Sequence, residues 1–106
     1  MVIKLDRIGD SRDFLVFQYR HDQTVEIVDI AVNSERRKGI GRSLVRQLCH
    51  KLEPTLRVYA ITRINNEVAH SFYESLGFCV AGVLRRFYSE DGADAVMYVR
   101  SAGGPI

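Results

Sequence analysis

The sequence predicts a single α/β domain built on one mixed, mostly antiparallel sheet of about six strands, with two main helices and one parallel strand pair. Three observations carry this. Two runs rich in aromatic and β-branched residues, Phe14 to Arg20 and Thr24 to Val32, flank the tip His21-Asp22-Gln23. An apolar stripe at helical spacing then runs from Ile40 to Leu52 and is followed by another alternating run, Thr55 to Thr62. Last, a second helical stretch leads into two strand-like runs joined by Ser89-Glu90-Asp91-Gly92.

Val2 to Leu5 is predicted as a short first strand, closed by the polar turn Gly9-Asp10-Ser11. With Phe14–Arg20 and Thr24–Val32 it makes a meander of three antiparallel strands. Along the third, Glu26, Val28, Ile30 and Val32 share one nominal face and Ile27, Asp29 and Ala31 the other. Both faces carry apolar residues, so the strand is central. In the first helix Ile40, Leu44, Leu48 and Leu52 recur at a spacing of four, Val45 widens the stripe and Pro54 closes it. A strand, a helix and a strand in succession imply a crossover, which sets Thr55–Thr62 parallel to the third strand. Asn65 or Asn66 caps a second helix, about Glu67 to Leu76, whose inward stripe is Ala69, Phe72, Tyr73 and Leu76, with Gly77 as its stop. Phe78 to Tyr88 and Ala93 to Arg100 are the last two strands, joined by an Asp-Gly turn. Residues 1–100 thus form one domain, and Ser101 to Ile106 is expected to be a flexible tail.

A chain of 106 residues has room for one core that buries about 60% to 70% of its unfolded surface. With 46% hydrophobic and 26% charged residues it is an ordinary globular composition. A formal charge of +2 is too small to argue for nucleic acid or an anionic membrane by bulk electrostatics. Cys49 and Cys79 stand alone and read as buried free thiols, and His21, His50 and His70 are too scattered to suggest a metal site. The N-terminus has no apolar run of signal-peptide length, and no stretch approaches a membrane span, so a cytoplasmic location is expected.

The stretch from Val25 to Leu52 carries the chemistry. An apolar strand feeds a short polar turn, then Arg36-Arg37-Lys38-Gly39-Ile40-Gly41, then a helix. Gly39 and Gly41 are free to take positive φ and to admit a ligand close to the backbone. The first N–H groups of the helix have no intrahelical partner, and the helix dipole favours an anion there. Arg36, Arg37, Lys38 and Arg42 add positive charge. A pyrophosphate is the natural guest, and a solvated basic turn is the plain alternative; this stretch alone does not choose between them. Two better-known phosphate motifs are excluded. Leu44 stands where the dinucleotide fingerprint requires its third glycine, and Arg42-Ser43 follows Gly41 where the P-loop requires Lys and then Ser or Thr.

With both helices placed, the pattern resembles the GNAT superfamily of acyl-coenzyme A-dependent N-acyltransferases. The family hallmark, Arg/Gln-x-x-Gly-x-Gly/Ala after a central strand, is matched by Arg36-Arg37-Lys38-Gly39-Ile40-Gly41. The second signature is matched by Asn66-x-x-Ala69-x-x-Phe72-Tyr73-x-x-Leu76-Gly77-Phe78, most closely in the form written in protein N-terminal (ribosomal-protein alanine) acetyltransferases. The resemblance covers about residues 12 to 100. The family usually places a strand and two helices ahead of the meander, for which this sequence offers no counterpart. The turn Asn33-Ser34-Glu35 is one residue shorter than usual, and Ile61 stands where peptide-acetylating members carry a general-base Glu.

The resemblance implies that the third strand and Thr55–Thr62 splay at their C-terminal ends and admit the pantetheine arm of acetyl-coenzyme A as a pseudo-strand. The arm would bond to the backbone of Ile30, Ala31 and Val32, with Asn66 reaching it from the second helix. The diphosphate would sit on Arg36, Arg37, Lys38, Gly39, Ile40, Gly41, Arg42 and Ser43. Tyr73 would assist the departing thiolate, and Glu26, or secondarily Asp29, would take the proton of the attacking amine. A core aromatic and an exposed strand carboxylate are the plain alternatives for Tyr73 and Glu26. His70 reads as solvated. Arg85-Arg86 would hold an acidic acceptor or lie on a solvated face. The implied activity is acetyl transfer to a primary amine, on a peptide N-terminus, a Lys side chain or a small molecule. The open groove favours a protein or peptide acceptor or a homodimer that completes the site. A coenzyme-binding module without turnover is the rival that Ile61 supports.

Overall fold

The structure, a computed structural model, describes residues 4–34 and 39–106. In chain order the elements are β1 (Asp6–Gly9), β2 (Asp13–Tyr19), β3 (Thr24–Val32), α1 (Ile40–Lys51), β4 (Arg57–Arg63), α2 (Glu67–Ser75), β5 (Cys79–Leu84) and β6 (Ala95–Ser101). The strands form one sheet in the order β1-β2-β3-β4-β6-β5. Among the described residues only β3 and β4 pair in parallel, as a helical crossover between neighbouring strands dictates.

Cross-strand partners share a face, and the registers Phe17↔Ile27, Ile27↔Ala60 and Ala60↔Tyr98 mark out the buried one. These side chains join Leu44, Val45 and Leu48 of α1 and Tyr73 of α2 in a single apolar cluster, so both helices cover this face. On the opposite face Phe14, Val16, Tyr59, Ile61, Met97 and Val99 are only half-buried.

Several boundaries differ from the sequence reading. The first described strand lies at Asp6–Gly9, placed by the turn that follows it; of the expected Val2–Leu5 run, Val2 and Ile3 lie outside the described residues, and Lys4 and Leu5 are not strand. Asp10 Oδ1 accepts from the N–H groups of Arg12 and Asp13, and Gly9, at φ 104°, passes so close to Asp13 O that a Cβ would lie 2.2 Å from it. The expected β3 alternation breaks at Val28. Val16 pairs with Asp29 and Phe17 with Ile27, so Val28 is a bulge that moves Ile30 and Val32 to the face of Val25 and Ile27. β5 stops at Leu84, four residues early, since Arg86 takes φ 51° and donates its N–H to Asp94 Oδ1. Cys49 is buried but Cys79 is exposed, because β5 is an edge strand and Cys79 lies opposite Val99 on the uncovered face.

The segment expected to be a flexible tail is docked. Arg100, nearly buried, donates to the carbonyl oxygens of Leu76 and Pro105. Ala102 N–H bonds to Leu56 O at 2.9 Å, and the Ala102 side chain is buried in the core. A guanidinium on the Leu76 carbonyl complements the negative end of α2 and gives this buried Arg a partner.

Candidate active site

Beyond the Val28 bulge β3 leaves β4. Their parallel pairing runs only from Thr24↔Arg57 to Ile27↔Ala60. Val28 to Val32 and Ile61 to Arg63 then diverge, and alternate residues on the facing edges turn their N–H and C=O groups into the gap. The gap widens into a cleft of about 810 Å³ whose walls come from β3, β4, the start of α1 and the length of α2, with Tyr88 at one side.

The floor is set by two glycines with different duties. Gly39 caps α1 at φ 70° with no side-chain cap. The N–H groups of Ile40, Gly41 and Arg42 precede the first intrahelical bond, Ser43 N–H to Gly39 O at 2.9 Å, and the first turn carries no acidic residue. Among the described residues these donors have no acceptor, and with the positive helix end they make an anion-binding rim on the cleft. Gly41 does not adopt positive φ as anticipated. It is needed for packing, because a Cβ there would lie 2.9 Å from Phe72 Cε1. The two sequence signatures therefore touch each other across the cleft.

Of the residues expected to bind the cofactor, Ile30, Val32, Gly39, Ile40, Gly41, Arg42, Asn66 and Tyr73 line this cleft. Ala31 does not line it; its partner across the strand is Phe14, on the other face. Ser43 lines a smaller adjoining depression of about 390 Å³ with Asp10, Asp13 and Gln47. Arg36, Arg37 and Lys38 lie outside the described residues. Asn66 caps α2, its Oδ1 accepting from Ala69 N–H at 3.1 Å, which leaves its amide nitrogen as a donor.

By register both candidate carboxylates of β3 lie on the uncovered face, Glu26 beside Gln18 and Asp29 beside Val16, but their surroundings differ. Glu26, the first candidate base, is held by the Arg20 guanidinium and by the Tyr59 hydroxyl at 3.4 Å, and it is not among the cleft residues. Asp29 lines the cleft, as does Ile61. Tyr73 is buried between Phe72, Phe78 and Tyr98. Burial pushes its phenol up to about 12, and the Asp29 charge adds to that shift. Asp13 organises the exit of β3: its carboxylate accepts from the N–H groups of Asn33 and Ser34 and from the Ser34 hydroxyl at 2.5 Å. Those bonds, the hydroxyl first, hold it below the usual carboxylate range.

The sequence reading missed Arg63 and Tyr88, which both line the cleft. The Arg63 guanidinium lies 4.1 Å from the Tyr88 ring centre and bonds to Asp91 at 2.8 Å and Glu90 at 3.1 Å. It thereby draws the β5–β6 loop against the end of β4. Arg85 and Arg86, named in their place, are exposed and outside the cleft. Nothing in the sequence separated Arg63 from other strand-end bases. His70, read as solvated, is half-buried and bonded through both ring nitrogens.

The sheet opens at the β3–β4 parallel pair, with residues of α1 and α2 lining the opening, which defines an α/β architecture with a cleft between two neighbouring strands. The chain belongs to the acetyltransferase (GNAT) family, whose model matches residues 12–78. It is 40% identical over 68 residues to the N-alpha-acetyltransferase RimI of Mycobacterium tuberculosis, covering 64% of this chain and 42% of that protein. It is 32% identical over 95 residues to the [ribosomal protein bS18]-alanine N-acetyltransferase of Escherichia coli K12, covering 86% of this chain and 64% of the relative. Among solved structures it superposes with a TM-score of 0.74 on a putative streptothricin acetyltransferase of Bacillus anthracis in complex with acetyl coenzyme A. That match is 25% identical and covers 85% of this chain and 55% of the other. The chain spans about two fifths to two thirds of the length of these relatives.

Proposed function

We propose that this chain binds acetyl-coenzyme A in the cleft and transfers the acetyl group to a primary amine, that of a protein or peptide N-terminus. The single observation that carries the reading is the continuity of the unpaired β3 edge with the uncapped start of α1. One surface so offers strand-edge partners to a pantetheine arm and free helix donors to a diphosphate. The relatives named for N-terminal acetylation favour the acceptor.

The arm would pair with the backbone of the Ile30–Val32 run, and Asn66 would donate its amide to it. The diphosphate would rest on the N–H groups of Ile40, Gly41 and Arg42, with Arg36, Arg37 and Lys38 supplying charge from the preceding segment. A backbone N–H in the β3 run would hold the oxyanion, an effect of about 3 to 4 kcal/mol for one well-placed donor. Asp29, the carboxylate in the cleft wall, replaces Glu26 as the base that deprotonates the attacking amine, directly or through one water. Tyr73 stands ready with its proton, but a phenol at about 12 is a weaker acid than a thiol near 8.5 by about 5 kcal/mol. It therefore steadies the departing thiolate by a hydrogen bond, and the proton is not fully surrendered.

A second reading is favoured by one feature: Ile61 occupies the cleft wall, at the position where the family resemblance implies a general-base Glu. On that reading the cleft binds coenzyme A without turnover. Thiol release from acetyl-coenzyme A over a panel of peptides with free N-termini separates the two. Turnover lost in Asp29→Asn and Tyr73→Phe supports transfer; tight coenzyme binding with no thiol release supports the module.

A further inference from the structure

Beneath α2 lies a chain of polar groups that the transfer chemistry does not use. His70 Nδ1 is 2.8 Å from the Tyr98 hydroxyl oxygen, and His70 Nε2 is 2.8 Å from the carbonyl oxygen of Ile64. The same Tyr98 oxygen is 2.9 Å from Glu74 Oε2. Each contact requires one hydrogen. A carbonyl only accepts, so Nε2 carries a proton. The two contacts that remain need two more hydrogens among Nδ1, the phenol and the carboxylate. Tyr98 brings one, and a singly protonated imidazole has already used its own. The chain closes only with an additional proton, and imidazole is a stronger base than a carboxylate.

We propose that His70, Tyr98 and Glu74 form an imidazolium–phenol–carboxylate chain, and that His70 is the positioning residue that fixes α2 against the end of β4 and against β6. Its charged surroundings agree. The carboxyl groups of Glu67 and Glu74 of α2 both act on Tyr98; from β6 the group facing His70 is the Tyr98 phenol, and from the β4–α2 turn it is the Ile64 carbonyl. Tyr98, almost fully buried, is raised to about 12 by burial and by Glu74, so it keeps its proton at neutral pH. The site lies between two of the cleft residues that α2 carries. Asn66 is one turn before His70 and Tyr73 is one turn after it, and the Tyr73 ring stacks on Tyr98 at 5.8 Å between centres. The consequence for coenzyme rests on the function proposed above; the protonation does not.

The test is a long-range proton–nitrogen correlation on the full chain labelled at its His ring nitrogens, at pH 7. Two protonated nitrogens are expected at His70. In Glu74→Gln the carboxamide can donate to the Tyr98 oxygen, Tyr98 can donate to Nδ1, and the chain closes without the additional proton. His70 should then change to a form protonated at Nε2 alone. His70→Ala should speed amide exchange along α2 and weaken coenzyme A binding about fivefold, the loss of one hydrogen bond. A singly protonated His70 in the wild-type chain, or an identical nitrogen signature in Glu74→Gln, overturns the proposal. If the signature appears as expected but coenzyme A does not bind, the proton chain stands and the proposed function falls.

Discussion

Gly41→Ala places one methyl group between the two motifs that make the cleft. The new Cβ would lie 2.9 Å from Phe72 Cε1, 3.1 Å from Phe72 Cζ and 3.7 Å from Val32 Cγ2. Overpacking of this kind costs about 1 to 3 kcal/mol. The obstructing atoms belong to a ring that is only half-buried, so the lower end applies. Alanine also recovers part of the roughly 0.8 to 1 kcal/mol that glycine forfeits in a helix. Net stability should therefore fall by about 1 kcal/mol or less. The cleft has no such compensation, since Phe72 can yield only by turning across the wall that Gly41, Val32 and Tyr73 share with it. Affinity for coenzyme A should drop about tenfold, or about 1.4 kcal/mol. Calorimetric titration gives the affinity and thermal melting gives the stability. In Gly41→Ala/Phe72→Leu the two changes should couple by about 1 kcal/mol in binding. Unchanged affinity in the single variant, or simple additivity in the double, refutes the idea that the motifs meet at the ligand.

Other consequences follow from named contacts. Asp29→Asn should lower acetyl transfer by at least about 100-fold with little change in coenzyme affinity, whereas Glu26→Gln should lower it far less; steady-state thiol release checks both. Tyr73→Phe should reduce turnover by about tenfold and leave the melting temperature nearly intact, because the ring's packing is retained; single-turnover rates read this directly. Arg100→Leu should destabilise the fold by about 3 kcal/mol, measured by urea unfolding, through loss of charged bonds to the end of α2 and to Pro105. Asp13 has a depressed folded-state value, so the stability it contributes is present above the ordinary carboxylate value and is lost as pH falls through the folded one. The stability gap between wild type and Asp13→Asn should thus be largest near pH 6 and vanish in strong acid, as followed by urea midpoints across pH.

How much of this could be read from the sequence depended on whether a feature was local. The α1 stripe, the Asn66 cap and the Gly77 stop at φ 82° all follow from residues within one or two turns of each other, and all were legible. So was the parallel pair, since a crossover leaves little choice of hand. The Val28 bulge was not, because its pattern of apolar residues fits unbroken alternation, and only the β2 register reveals it. Yet that bulge decides which side chains of β3 share the buried face. The docked tail was missed for a similar reason: Ser101-Ala102-Gly103-Gly104 looks like a frayed end until Arg100 is seen reaching from β6 to α2. Arg63 and Tyr88 are brought together across 25 positions by a loop clamp that has no signature in either residue's neighbourhood.

The central claim is that a coenzyme lies along the unpaired edge of β3 with its diphosphate on the start of α1. An amide-resolved NMR titration of the chain with acetyl-coenzyme A tests it. The largest shifts should fall on Ile30 to Val32 and on Ile40 to Arg42, saturating together; saturation without movement at either run, or shifts confined to the uncovered sheet face around Phe14 and Met97, would contradict it.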